Sequence, residues 1–417
     1  MNWFESYESD IRAYSRVYPA VFEKGDNARQ TDEEGKEYID FYAGAGVLNF
    51  GHNNPRLIEA VISYLQSGGV LHTLDMMTPP KREFIKAFVQ TILEPRGMDY
   101  KLQFMGPTGT NAVEAALKLA RRVTGRSEVV AFSQGFHGMT LGALACTANE
   151  YFRNAAGTPL GMVTHWPFET HDGGGIDSLH TLRALYQNSS SGVEKPAAFI
   201  VEVLQAEGGV NLASKAWLQA LQQLAHDIGA LLIVDDIQSG CGRTGSYFSF
   251  EDCGIDPDII TLAKGIGGIG TPMAMNLVKP EHDKHWQPGE HTGTFRGQNL
   301  SFVAGREALR YFEDDALMAD TRRKGQIMAD FLAGIAAQYS DEGFSVRGKG
   351  MMQALDVGSG DLAKAIANDC FENGMLFGPC GVGGAVMKLI PPLTIPDDDL
   401  HQGLAILGAA VKRQLEA

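Results

Sequence analysis

Ile259-Ile260-Thr261-Leu262-Ala263-Lys264-Gly265 sets a lysine directly after a short apolar run. A run with so few polar residues reads as a strand buried on both faces, and a charge at its end is costly unless it works or is paired. Upstream, Leu231-Leu232-Ile233-Val234-Asp235-Asp236-Ile237-Gln238-Ser239-Gly240 repeats the pattern with two carboxylates where the lysine stood. Similar runs at 128–132, 198–203 and 273–278 alternate with helical patterns such as 112–122 and 216–226. Strands apolar on both faces and separated by helices predict an α/β fold, a mostly parallel sheet covered on both sides. Such sheets bind ligands at the carboxyl ends of their strands, so the residues just past each run are the candidates for chemistry.

Outward from this centre the pattern changes. Residues 27–41 read as a hairpin turning at Thr31-Asp32-Glu33-Glu34-Gly35, and 55–65 as a helix. After about residue 300 the chain becomes helix-rich (302–313, 318–339, 361–374) with a short strand at 352–357. The predicted division is an N-terminal segment, 1–55, that joins a smaller C-terminal domain, 301–417, around a large domain at 56–300.

Composition narrows the classes. A chain of 417 residues with 44% hydrophobic and 20% charged side chains can bury a sizeable core. The net charge of −15 argues against nucleic acid and against an anionic membrane surface as partners. Five cysteines (Cys146, Cys241, Cys253, Cys370 and Cys380) at scattered spacing suggest neither a disulfide framework nor a zinc site, and no metal is expected. The start lacks a basic segment followed by an apolar run, and no apolar stretch approaches the ~18–20 residues of a membrane span. The expected compartment is a reduced cytoplasm.

Five segments carry candidate chemistry. Gly106-Pro107-Thr108-Gly109-Thr110-Asn111 leads into a helix with Glu114 three positions past Asn111, a capping-box spacing. Small hydroxylated residues at a helix start make an anion site, though an ordinary capped helix reads the same way. Gly135-Phe136-His137-Gly138 follows a strand, where the aromatic ring either stacks on a flat ligand or simply packs. Asp235 and Asp236 are able to hold a proton on a ring nitrogen or to bind Mg²⁺, but the phosphate loop that accompanies the second use is missing. Lys264 is placed to attack a carbonyl and form an imine. Gly265-Ile266-Gly267-Gly268-Ile269-Gly270 has the wrong spacing for a dinucleotide fingerprint. His291-Thr292-Gly293-Thr294-Phe295-Arg296-Gly297 offers a hydroxyl beside glycines, or an unremarkable turn.

In this order, Thr108-Gly109-Thr110, Phe136-His137-Gly138, Glu202 with Glu207-Gly208-Gly209, Asp235-Asp236-Ile237-Gln238, Lys264 and Thr294-Phe295 resemble the class III aminotransferases, the ornithine- and 4-aminobutyrate-like family. The resemblance runs from the hairpin at residue 27 to Pro391-Pro392-Leu393-Thr394. It implies fold type I of the pyridoxal 5′-phosphate enzymes, with a mostly parallel seven-stranded sheet, a smaller α+β domain and a homodimer as the minimal active unit. By the same resemblance, Lys264 looks like the lysine that holds the cofactor as a Schiff base, and Asp235 like the partner of its ring nitrogen. Phe136 matches the stacking aromatic, Ile237 the apolar residue under the ring and Gln238 the neighbour of the phenolic oxygen. Thr108, Gly109 and Thr110 match the phosphate cup; His137 and Glu202 fall among the cofactor contacts. Thr294 resembles the threonine that reaches the cofactor of the neighbouring subunit.

Glu207 matches a glutamate that pairs with a substrate-binding arginine in many members. Here Lys388, in Met387-Lys388-Leu389-Ile390-Pro391-Pro392-Leu393-Thr394, stands where that arginine is usual, a point charge without a planar fork. Residues 11–16, 41–52 and 294–299 are similar to a subgroup acting on L-2,4-diaminobutyrate in ectoine synthesis. That implies L-glutamate and L-aspartate-4-semialdehyde as substrates, with 2-oxoglutarate as a product. Tyr14, Arg16 and Gly44-Ala45-Gly46 are candidates for the far end of the substrate pocket, although Tyr14 and Arg16 fit equally well as N-terminal packing and pairing residues. The competing readings are another ω-aminotransferase using ornithine or 4-aminobutyrate, a decarboxylase or aminomutase on the same fold, and a scaffold without cofactor.

Overall fold

The computed structural model describes residues 3–416. Three N-terminal strands, β1 (Phe22–Asp26), β2 (Arg29–Asp32) and β3 (Glu37–Asp40), form an antiparallel meander. The chain then builds β4 (Lys101–Phe104), β5 (Val129–Phe132), β6 (Val163–Trp166) and β7 (Ala198–Val201). A small hairpin, β8 (Leu204–Gln205) and β9 (Asn211–Leu212), precedes β10 (Leu231–Asp235), β11 (Ile259–Leu262) and β12 (Met275–Val278). The C-terminal strands are β13 (Ser345–Lys349), β14 (Met352–Asp356), β15 (Met375–Leu376), β16 (Gly378–Cys380) and β17 (Val386–Leu389).

The central sheet has seven strands in the order β4-β12-β11-β10-β7-β5-β6. β12 runs antiparallel to both of its neighbours, while the pairs among β11, β10, β7, β5 and β6 are parallel. The inner strands β5, β7, β10, β11 and β12 are buried at every position, which accounts for their near-continuous apolar sequences. β4 and β6 are the two edges and keep exposed or half-buried residues. Their sequences, Lys-Leu-Gln-Phe and Val-Thr-His-Trp, are correspondingly mixed, and no apolar run betrays them.

Covering helices start and stop on local signals. The helix Gly109–Thr124 is capped by the Thr108 hydroxyl and ends at Gly125 in the left-handed region, with Val113, Ala116, Leu117 and Ala120 turned into the core. The helix Lys215–Ile228 is capped by Ser214 and ends at Gly229 in the same way. The expected capping box at Asn111 and Glu114 is corrected here. Asn111 sits inside the first turn, and Glu114 instead accepts from the Thr140 hydroxyl at 2.6 Å and from the backbone N–H of Gly142 at 2.9 Å.

Past the sheet, the helices Asn299–Leu309 and Ala316–Gln338 lead to an antiparallel sheet ordered β13-β14-β17-β16. β15 pairs in parallel with β3, so the N-terminal meander and the C-terminal segment share one sheet. Among the described residues no helix is long and apolar enough to cross a membrane.

Beside β4, the rings of Phe84, Phe104 and Phe302 pack with centroids 5.0–6.1 Å apart, and Phe302 is fully buried. This cluster ties the helix Asn299–Leu309 to the large sheet. Truncation to Phe302→Ala is expected to cost about 3–5 kcal/mol, the range for emptying a buried aromatic site, and chemical denaturation monitored by circular dichroism measures it.

Candidate active site

A cavity of about 450 Å³ opens at the carboxyl ends of the inner strands. The parallel strands deliver its groups. β5 runs into Phe136 and His137, β7 into Glu202, β10 ends on Asp235 and continues to Ile237 and Gln238, and β11 is followed by Lys264. Pro107, Thr108, Gly109 and Thr110 close one end, where the helix Gly109–Thr124 begins. A Cβ on Gly109 would lie 2.9 Å from Ile237 Cδ1, so a larger residue there would have to push the Ile237 side chain aside. Two sequence-distant segments also line the cavity: Val47, and Gly270 to Met273 before the antiparallel strand β12. Neither is visible in a reading of the parallel strands alone.

The acidic side is a buried network. Asp235 Oδ2 lies 2.8 Å from His137 Nδ1, while its Oδ1 accepts from the Thr261 hydroxyl at 3.1 Å and the Ile237 N–H at 3.2 Å. The Phe136 N–H donates to Glu202 Oε2 at 2.9 Å. Burial raises the Glu202 carboxyl to about 7, with His137 opposing and Asp235 adding to the rise. Burial disfavours the charged form of His137, but its bond to Asp235 outweighs this and its ring is raised above the ordinary value. Asp236 faces away from the cavity; it accepts from the Ser239 hydroxyl at 2.7 Å and the Ser249 N–H at 3.0 Å and organises the turn after β10.

The basic side is a closed ring. Lys388, on β17 and only 1% exposed, donates to Glu207 Oε1 and to Gln238 Oε1 at 3.2 Å. Gln238 Nε2 in turn donates to Glu207 Oε1 at 3.1 Å and to the Ala45 carbonyl at 2.8 Å. The same carbonyl accepts from Lys264 Nζ at 3.0 Å. Burial alone would push the Glu207 carboxyl up, yet Lys388 and Lys264 bring it down to about 2. For Lys264 the balance runs the other way. Burial lowers its ammonium to about 8, against the pull of Glu207 and Asp235.

Four predicted residues do not line the cavity; one of them, Lys388, is buried behind Glu207. Thr294 is exposed, its carbonyl 2.7 Å from His72 Nε2. Arg16 pairs with Asp10 at 2.9 Å in solvent. Tyr14 is 62% exposed and tilts against Tyr42 with centroids 5.7 Å apart. The segment 44–46 does reach the site, through Ala45.

The sequence model of the class-III aminotransferases ("Aminotransferase class-III") matches residues 11–411. An uncharacterized aminotransferase of Sinorhizobium fredii is 51% identical over 98% of this chain and 91% of its own length. A diaminobutyrate--2-oxoglutarate transaminase of Halomonas elongata is 49% identical over 98% of both chains. Among solved structures, the ornithine aminotransferase of Toxoplasma gondii superposes with a TM-score of 0.86 at 27% identity, covering 99% of this chain and 94% of that one. The match spans the cavity, the central sheet and the C-terminal sheet, and the chain belongs to the class-III aminotransferases, enzymes that work with pyridoxal phosphate.

Proposed function

We propose that the protein transfers the amino group of L-glutamate to L-aspartate-4-semialdehyde, giving 2-oxoglutarate and L-2,4-diaminobutyrate. The observation that carries this reading is one cavity in which a buried amine, Lys264, faces both the Asp235–His137 pair and a glutamate, Glu207, that is ion-paired to a lysine. Near half identity to a named diaminobutyrate transaminase over the whole length supports the substrate.

The residues present fit pyridoxal phosphate. At one end of the cavity, the first N–H groups of the helix Gly109–Thr124 are free of intrahelical partners and suit a phosphate. At the other end, a lysine amine and a buried carboxylate face the same space. When bound, the cofactor supplies an aldehyde that takes up the substrate's amine and a ring that draws off electrons from the substrate carbon. Asp235, braced by His137 and Thr261, would hold a proton on the ring nitrogen. Phe136 and Ile237 line the same cavity and would hold the ring between them, and Gln238 would offer it an amide. Lys264 Nζ takes the proton from the substrate Cα, a role that requires a neutral amine near neutral pH, and burial provides it. Glu207, backed by Lys388, meets the polar end of the substrate. Thr294 reaches a second copy of the chain. Exposed Leu71, Leu74, Met77 and Phe295 around it support a homodimer.

Incubation with L-glutamate and L-aspartate-4-semialdehyde is expected to yield L-2,4-diaminobutyrate and 2-oxoglutarate in equal amounts by amino-acid chromatography. Turnover of ornithine or 4-aminobutyrate with no diaminobutyrate formed would refute the substrate. Lys264→Ala is expected to slow the glutamate half-reaction by about 10²–10⁴-fold in stopped-flow absorbance. In apoenzyme, the neutral fraction of Lys264 grows as pH rises through its lowered value. Aldehyde labelling trapped by cyanoborohydride is therefore half-maximal near pH 8. A midpoint near the ordinary lysine value of about 10.4 would contradict the burial argument.

A further inference from the structure

Glu207 stands at the tip of the β8–β9 hairpin, and what holds that tip lies outside the cavity. The tip is wound tightly, with φ +118° at Gly209 and φ +57° at Val210, the second a costly value for a β-branched residue. A Cβ on Gly208 would run into the Gln134 backbone oxygen. On the far side the Glu207 carbonyl accepts from the Gly381 N–H at 2.9 Å.

The centre of this packing is Asn211, 3% exposed. Its Nδ2 lies 3.1 Å from the Gly208 carbonyl and 3.1 Å from each of Gln205 Oε1 and Gln134 Oε1. Asn and Gln amides are assigned by their partners, and here the partner settles the orientation. Arg347 Nη1 approaches Asn211 Oδ1 at 2.6 Å, and a guanidinium only donates, so Oδ1 must face Arg347 and Nδ2 must face the hairpin tip. Arg347 comes from β13 of the C-terminal sheet and is anchored there by Asp356 on β14. It spans a cleft of about 720 Å³ separate from the active cavity.

We propose that Asn211 and Arg347 are positioning residues for amino transfer, a strut through which the C-terminal sheet fixes where Glu207 presents its carboxylate to Lys388 and the substrate. The inference rests on the site reading given above. Its physical content is a short relay: Arg347 orients the Asn211 amide, the amide holds the Gly208 carbonyl, and Glu207 is the next residue. Glu207 Oε1 serves Lys388 and Gln238 at once, so a small displacement breaks a bond that no other group replaces. Glu207 also favours the charged form of Lys264, so moving it away changes the lysine's titration.

The test uses holoenzyme for kinetics and apoenzyme for titration. Asn211→Ala and Arg347→Gln are expected to raise KM for L-glutamate at least fivefold while kcat stays within about threefold. Both also shift the pH midpoint for aldehyde labelling of Lys264 downward. Arg347→Lys keeps the charge without the fork and falls between wild type and Arg347→Gln. If Asn211→Ala does not fold, Arg347→Gln decides, because its side chain is about a third exposed and its loss leaves no core cavity. Wild-type KM and midpoint in a folded Arg347→Gln protein would overturn the strut. Glu207→Gln separates the two ideas. If it moves KM and midpoint while the strut variants do not, the strut alone fails; if it moves neither, the reading of Glu207 fails with it.

Discussion

A lysine amine held out of water at the end of a parallel strand sets the terms for the rest of the site. Lys264 sheds part of its charge because burial disfavours the ammonium, and it keeps the remainder because Glu207 and Asp235 are near. Glu207 stays ionised in the same dry space only because Lys388 and Lys264 face it. Lys388, nearly fully buried, in turn owes its charge to Glu207. Each member would be expensive alone; removing one partner of such a pair typically costs about 3–5 kcal/mol. The cavity is therefore a balance of charges rather than a set of independent contacts, and its geometry cannot drift without changing the charge on Lys264.

Backbone strain supplies the fixed point of that balance. Ala43, Gly44, Ala45 and Gly46 all have φ between +47° and +86°, four successive residues in the left-handed region. For an alanine this costs on the order of 1 kcal/mol, and it persists only where the surroundings dictate it. Asp40 does much of that. Fully buried, it accepts from the Tyr42 and Ala43 N–H groups at 2.8 and 2.7 Å and lies 2.8 Å from His52 Nε2. The turn so wound directs the Ala45 carbonyl at both Lys264 and Gln238. An ordinary helical turn would satisfy that carbonyl internally and leave the lysine without an acceptor.

How much of this the sequence discloses follows from the same physics. Runs buried on both faces announce β5, β7, β10, β11 and β12, and residues just past the parallel ones line the cavity. The edge strands β4 and β6 are half solvated and leave no such mark. That β12 runs backwards is equally hidden, because an inner strand is apolar in either direction. The helix cap sits three residues before the one the string suggests, since Asn-x-x-Glu fits the capping pattern while Thr108 is the residue with extended backbone. Arg347 and Asn211 leave no local mark: their meaning lies in a contact between residues 136 positions apart, and neither directly follows a buried apolar run. Arg243 is a similar case. It is a fully buried guanidinium whose partners are Asn49 Oδ1 and the carbonyls of Met351 and Pro391, a tie between distant segments that no local pattern announces.

Lys388 shows how one substitution within a family pattern alters the physics without breaking the site. An arginine at this position would present a planar fork to a carboxylate. The lysine instead ends in a compact charge that fits inside the sheet beside Cys380 and spends its hydrogen bonds on Glu207 and Gln238. With its amine so enclosed, it has little reach into the cavity, and the side chain that faces the cavity is Glu207, a third exposed. The polar end of the pocket thus presents an anion backed by a buried cation. Such an arrangement suits a group that carries an ammonium as well as a carboxylate. Because Glu207 is held ionised down to about pH 2, that preference stays constant over the range in which Lys264 titrates.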